Sequence, residues 1–316
     1  MRHDPAERQL PSLSLGPVME GKRAGTALGA ALAFAFGAVA LWATNALVGK
    51  TLLASHPVSE VQFLQFCGAA LVFALIRLMS GSSPSLPQEE KGSAALAYIV
   101  GFIGLVGTMV LQYVAFASMP VIEANLVAYT WPLMVAAAII LLDRPKRPLL
   151  LGVTAALGFA GVALVISGGR AHAWFEGGSL AGCAAAFGSA LCMAFYSIAV
   201  GRLAVPPDRL LLPSAVIGVA LTFAWCLHDG AAGLSGVDLL LGLYLGAGPM
   251  GLGYYFWSRA LSLDQGGRLA VVAYLTPIAS TLLLALSGES LSTTAIAGAV
   301  LVIGSCIAVG IERSEA

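Results

Sequence analysis

The sequence predicts an all-α polytopic membrane protein: ten transmembrane helices in two inverted five-helix repeats, with both termini cytoplasmic. Three observations predict it. The 316 residues are 59% hydrophobic and only 10% charged, where a soluble domain has about a quarter of its residues charged. The apolar residues gather into ten stretches, each near the roughly 17–25 residues that a spanning helix needs. Finally, Val127-Ala128-Tyr129-Thr130-Trp131-Pro132 is echoed by Val272-Ala273-Tyr274-Leu275-Thr276-Pro277, 145 positions later. The echo marks a doubled half, a common plan for alternating-access transporters.

The elements follow in order. Residues 1–24 are polar, carry Arg2, Arg8, Lys22 and Arg23, and read as a disordered cytoplasmic tail. A cleaved signal peptide competes with that reading, but the first apolar run is longer than a signal core. Span 1 (26–48) carries Trp42, Thr44 and Asn45 and ends at Gly49-Lys50. Span 2 (58–79) is the weakest, bracketed by Glu60 and Arg77. Span 3 (94–117) holds Gly101, Gly104, Gly107, Gln112 and Tyr113, and span 4 (121–142) holds the first copy of the echoed motif. Span 5 (149–168) closes a first half of 25–168, and a connector of 169–176 leads to a second half of 177–311. Span 6 (178–201) carries Met193, Phe195 and Tyr196, and span 7 covers 210–227. Span 8 (238–259) holds Gly246, Gly248, Pro249, Gly251, Gly253, Tyr254, Tyr255 and Trp257. Span 9 (268–287) holds the second motif, span 10 (291–311) follows, and 312–316 form a short cytoplasmic tail.

Orientation follows from Lys and Arg, which concentrate on the cytoplasmic side. With the N-terminus inside, that side holds fourteen of the sixteen basic residues, leaving Lys50 and Arg170 outside. The bias also supports an even number of spans. Ten spans in two halves give five each; five is odd, so the second half enters the membrane from the opposite side. Phe36-Gly37 in span 1 parallels Phe187-Gly188 in span 6, and Gly104 and Gly107 parallel Gly248 and Gly251. Pro132 lies nine residues after Glu123, and Pro277 nine after Arg268. Nine helical residues rise about 14 Å, close to half of a hydrocarbon core of about 30 Å. Both prolines therefore approach the midplane, from opposite sides.

A proline inside a helix removes one backbone bond and crowds the carbonyl four residues back. Here those carbonyls belong to Ala128 and Ala273, each just before a tyrosine and each a candidate acceptor for an ammonium group. A packing kink satisfied by neighbouring helices is the competing reading. Pro132 and Pro277, with Gly248 and Gly251, are the expected helix-kink positions. Asn125, Tyr129 and Pro132 share one helical face, whereas Trp131 cannot share it in a regular helix. The expected substrate-binding residues are Trp42, Asn45, Gln112, Tyr113, Asn125, Tyr129, Trp131, Met193, Tyr196, Trp257 and Tyr274. Interfacial belts and helix–helix hydrogen bonds are the alternatives for the aromatic and polar members respectively. Glu60 and Glu123 read as solvated caps, and no cation is expected at depth, so the cavity should be neutral and aromatic-lined. That disfavours polyanions and makes an uncoupled facilitator the simplest mechanism.

The balance of 16 basic and 16 acidic residues gives no reason to expect nucleic acid. The five cysteines lie in apolar stretches and read as reduced packing residues. No catalytic, metal or cofactor pattern stands out, and no obligatory protein partner is expected beyond lipid and a small-molecule substrate. An intramembrane enzyme would want paired Asp or a His-Glu-x-x-His motif, and neither occurs.

From residue 26 to 311 the five-plus-five plan, the paired Ala-Tyr-x-x-Pro elements and Gly49-Lys50 resemble the EamA-type branch of the drug/metabolite transporter superfamily. Ile122-Glu123, Val127 to Pro132, Leu41-Trp42-x-Thr44 and Gly253-Tyr254-x-x-Trp257 are similar to bacterial aromatic amino-acid exporters within it. The resemblance implies export of aromatic amino acids, and of aromatic cations, across the bacterial inner membrane through a cavity shared by both halves. Two positions depart: Gln65-Phe66 stands where the family often has Arg-Phe, and Met193 stands where those exporters carry a Trp. A broad drug or metabolite exporter, or a carrier of small neutral amino acids such as Thr, is the alternative.

Overall fold

The computed structural model describes residues 17–80, 91–167, 179–203, 206–230, 233, 235–263, 268–286 and 293–314. The expected connector 169–176, tail residues 1–16 and residues 315–316 lie outside the described residues. Among the described residues the regular structure is entirely helical: α1 (Pro17–Trp42), α2 (Asn45–Leu53), α3 (Val58–Met79), α4 (Lys91–Gly101), α5 (Thr108–Ser118), α6 (Val121–Ala128) and α7 (Trp131–Leu142). These are followed by α8 (Pro148–Ser167), α9 (Leu180–Arg202), α10 (Pro207–Asp229), α11 (Gly236–Leu245), α12 (Gly253–Leu263), α13 (Leu275–Leu286) and α14 (Thr293–Ser314). α1 begins at Pro17, inside the stretch read from sequence as a disordered tail.

Among the described residues, eight helical stretches are long and apolar enough to cross a membrane, from Ala27–Leu53 to Gly236–Leu263. Leu269–Ser280 and Ile296–Ala308 are apolar but shorter. Large apolar side chains cover the outside, Leu149 at 82% and Leu141 at 75% exposure among them. In water such a surface would aggregate; in lipid it is the favourable one.

Several helices are interrupted, each for a chemical reason. α1 gives way to α2 at Ala43-Thr44, where Thr44 Oγ1 donates to the Leu41 carbonyl at 2.8 Å. The Ala43 carbonyl, bared by the break, accepts from Ser280 Oγ at 2.7 Å. α6 gives way to α7 at Tyr129-Thr130, with Thr130 Oγ1 on the Val127 carbonyl at 2.7 Å. In both, a threonine hydroxyl replaces a lost backbone donor, which keeps the break affordable away from water. α4 and α5 are joined by a π-helical segment, Phe102–Gly107, and α11 and α12 by another, Gly246–Leu252. Such segments are rare and cluster at functional sites. α13 is preceded by a 3₁₀ turn, Arg268–Tyr274.

The prolines correct one expectation. Pro132 sits in the first turn of α7 and Pro277 in the first turn of α13. Neither bends a continuous helix. Each opens one, where its fixed φ and missing N–H cost least, and the break lies just upstream.

The main packing partners all join the first half to the second: α8 on α14, α3 on α10, α1 on α12 and α5 on α9. Glycine makes the closest of these approaches possible. At the α8–α14 crossing, a Cβ on Gly161 would lie 2.7 Å from the Gly298 carbonyl oxygen. On α3, a Cβ on Gly68 would lie 2.6 Å from the Leu243 carbonyl oxygen of α11. Small residues at such crossings are the usual means of bringing membrane helices together.

Candidate functional site

The interior holds a cluster of rings drawn from four of the packed segments. Trp42, the last residue of α1, lies 5.4 Å from Trp257 and 6.0 Å from Tyr254, both of α12. Trp131, the first residue of α7, meets Trp257 edge-on at 5.5 Å and 84°. Tyr196 of α9 lies 5.6 Å from Tyr254. Trp257 is fully buried, and Trp131, Tyr196 and Tyr254 are buried with it. Edge-to-face geometry of this kind adds to area burial, by about 0.5–1.5 kcal/mol per pair.

The polar atoms of Trp42, Trp257, Tyr196 and Tyr254 already have partners. Trp42 Nε1 donates to the Pro249 carbonyl at 3.0 Å, inside the second π segment. Trp257 Nε1 donates to Ser197 Oγ at 3.1 Å. Ser258 Oγ donates to the Tyr254 carbonyl at 2.6 Å, so in its 2.6 Å contact with Tyr196 the phenol is the donor. What the cluster offers a guest is therefore ring faces and edges, with no net charge.

Beside it runs a buried polar chain. Gln65 Nε2 donates to Tyr113 Oη at 2.8 Å, and Tyr113 Oη donates to Asn45 Oδ1 at 3.1 Å. Gln62 Nε2 donates in turn to Gln65 Oε1. Gln62 Oε1 is buried without a partner. The Tyr113 hydroxyl reaches this position because residue 49 is glycine; a Cβ there would lie 2.7 Å from it. The Asn45–Tyr113 bond links spans 1 and 3, and the Tyr196–Ser258 bond links spans 6 and 8, the corresponding segments of the other half.

The remaining expected residues divide. Tyr274 is fully buried with Val162, Val271 and Val302, and Tyr129 packs against this group. The two motif tyrosines thus share one packed group, separate from the ring cluster. Tyr274 Oη and Thr276 Oγ1 are buried; Thr276 lies beside the Tyr129 hydroxyl and Tyr274 beside the Leu133 backbone, without well-aligned hydrogen bonds among the described residues. The break at Tyr129-Thr130 turns Trp131 into the ring cluster while Tyr129 faces the other group, which is how neighbours two apart serve different sites. Met193 is buried in the core one turn before Tyr196. Gln112 and Asn125 are half-buried and belong to neither the ring cluster nor the polar chain.

Three expectations need correction. Glu60 is buried at 5% exposure rather than solvated, because His56 and the Gly233 N–H bind its two oxygens. Glu123 Oε2 is likewise buried. Arg259 lies inside the eighth span, since α12 continues to Leu263; its Nε is buried and its guanidinium lies 5.9 Å from the centre of the Phe34 ring. Gln62, Gln65, Tyr254, Ser197 and Ser258 were not singled out as site residues from sequence. Ser59, Gln62 and Gln65 follow each other at three-residue spacing in an apolar helix, a signal that could have found the polar chain.

The EamA-like transporter family matches the sequence over residues 29–167 and 180–311. The chain belongs to that family. The aromatic amino acid exporter YddG of Ancylobacter novellus is 29% identical over 288 residues, 88% of this chain and 96% of that one. A solved crystal structure superposes with a TM-score of 0.76 at 27% identity, covering 89% of this chain and 98% of the other. This EamA-like protein is a multi-pass transporter of the bacterial inner membrane, embedded in lipid and acting on a small molecule.

Proposed function

We propose that the protein exports aromatic amino acids and related amphipathic metabolites by alternating access, and that the ring cluster is its selectivity element. The observation that carries the reading is that Trp42 and Trp131 of the first half meet Tyr196, Tyr254 and Trp257 of the second at one place. A site assembled from both halves opens to one side or the other when the halves rock. The name of the Ancylobacter relative supports an aromatic amino acid as cargo. Uncharged rings, four of them with their polar atoms bonded to the protein, favour a neutral aromatic guest, which stacks on them. Zwitterionic groups would be met by Asn45, Tyr113 and the half-buried Asn125.

Ten spans in two inverted halves, with both termini inside, are the architecture we infer. The contact pattern supports it. Exchanging the halves carries the α1–α12 contact into the α9–α5 contact, and maps α3–α10 and α8–α14 onto themselves. The paired π segments and the paired breaks before Pro132 and Pro277 obey the same exchange. Flux of labelled Trp, Phe and Thr in proteoliposomes, with and without a proton gradient, tests the proposal. It predicts Trp and Phe flux that needs no proton gradient. Gradient-dependent flux, or flux of Thr alone, would defeat it.

A further inference from the structure

We propose that His56, Glu60 and Asp238 form a proton-binding clasp that ties the first half to the second. His56 lies in the short connection between α2 and α3. Its Nδ1 is 3.2 Å from Glu60 Oε2 and its Nε2 is 3.1 Å from Asp238 Oδ2. Glu60 belongs to α3 in the first half and Asp238 to α11 in the second. The imidazole therefore bridges the halves with both of its nitrogens engaged.

The protonation state follows from the partners. Glu60 Oε1 accepts the Gly233 N–H at 2.7 Å and Oε2 faces the imidazole, an arrangement that suits an ionised carboxylate. Its side chain is only 6% exposed, and a buried charge needs a partner. Glu60 and Asp238 both sit in the first turn of their helices, where the helix dipole favours the anion. An ionised carboxylate only accepts, and a neutral imidazole has only one N–H. To serve both carboxylates the ring must hold both protons. Losing one would turn a ring lone pair toward a carboxylate and convert that contact from attraction to repulsion.

The surrounding charges agree with this. Asp229, at the end of α10, accepts from Ser59 Oγ at 2.7 Å and has His228 3.3 Å away. Lys50 lies in the last turn of α2, ahead of His56 in the sequence. Two carboxylates thus face His56, which adds to the demand for its proton. On the Lys and Arg distribution this end of the molecule faces the outside, so the clasp would respond to external acidity. It shares no residue with the ring cluster; it governs how firmly the halves are joined, not what they carry.

The clasp is closed while the imidazole holds both protons and the carboxylates hold none. It loosens as pH rises through the range where histidine changes charge. The test is thermal unfolding of the purified full chain in detergent, followed by tryptophan fluorescence, for wild type, His56→Gln and Asp238→Asn. Near pH 6 wild type should melt about 3 °C above His56→Gln. By about pH 9 that gap should fall below about 1 °C, because the clasp requires a doubly protonated ring. Asp238→Asn, at a side chain 45% exposed, should fold even if His56→Gln does not, and its gap to wild type should close the same way. A gap that is absent near pH 6, or that stays constant over the range, overturns the clasp.

Discussion

Replacing Tyr113 by Phe probes the buried polar chain at its centre. The ring stays and only the hydroxyl goes, so packing is nearly unchanged. Two bonds are lost: the one from Gln65 Nε2 at 2.8 Å and the one to Asn45 Oδ1 at 3.1 Å. In a soluble core each orphaned group would cost about 1–3 kcal/mol. In a membrane the unfolded segments also find partners, and measured bonds average about 0.6 kcal/mol with a maximum near 1.7. Two bonds therefore predict a loss of about 1–3 kcal/mol. The assay is reversible unfolding in mixed micelles, run as a double-mutant cycle with Gln65→Leu. The expected coupling between the two sites is about 0.6–1.5 kcal/mol, because removing either partner already breaks the shared bond. Gly49→Ala supplies an independent arm. It should destabilise wild type by crowding the hydroxyl, and destabilise Tyr113→Phe less, where the nearest atom left is Cζ at 3.1 Å. A coupling within about 0.3 kcal/mol of zero in a folded pair would refute the chain as an energetic unit.

Three further outcomes follow from the packing. Gly248→Ala fits its surroundings, since the added Cβ finds nothing nearer than 3.4 Å; it should slow flux by stiffening the π segment while leaving the melting temperature within about 2 °C. Gly251→Leu is the poorer test of the same idea, because its Cβ would already lie 2.9 Å from the Gly246 carbonyl oxygen. Gly161→Leu should prevent folding by wedging α8 from α14, seen as loss of the monodisperse peak in size-exclusion chromatography. Asp143→Asn should change stability by less than about 1 kcal/mol, because its 2.8 Å pair with Arg202 is about half exposed on both sides; a larger loss in unfolding would show that the pair is buried in the membrane-bound protein.

Much of the fold was legible because membrane helices announce themselves. The apolar stretches around Tyr196 and Trp257 came out as helices within a few residues of their expected ends, whereas α1 starts earlier than expected and breaks after Trp42. Glycines 104 and 107 and glycines 248 and 251 were paired by spacing, and they fall in the two π segments. Spacing alone does not distinguish π from α, since the difference is one residue of slippage that tertiary packing decides. The prolines were read as kinks because a residue-level rule cannot see where the preceding helix has already ended. Trp42, Trp131, Tyr196 and Trp257 were named, yet their meeting depends on breaks at Ala43-Thr44 and Tyr129-Thr130 that no apolar periodicity encodes. Glu60 was misread because its partners His56 and Gly233 come from connections, and the Gly233 connection is distant in sequence.

The central claim is that the ring cluster selects aromatic cargo, and the most direct measurement is competition against labelled Trp uptake in proteoliposomes for wild type and Trp131→Leu. Leucine fills part of the same buried space but offers no ring edge to Trp257. The account predicts that unlabelled Phe competes with Trp in wild type while Thr does not. It further predicts that Trp131→Leu, folded and reconstituted equally well, loses at least about tenfold in the Phe-over-Thr preference, the loss expected for roughly 1.4 kcal/mol of stacking. An unchanged preference in Trp131→Leu, or equal competition by Thr in wild type, would contradict it.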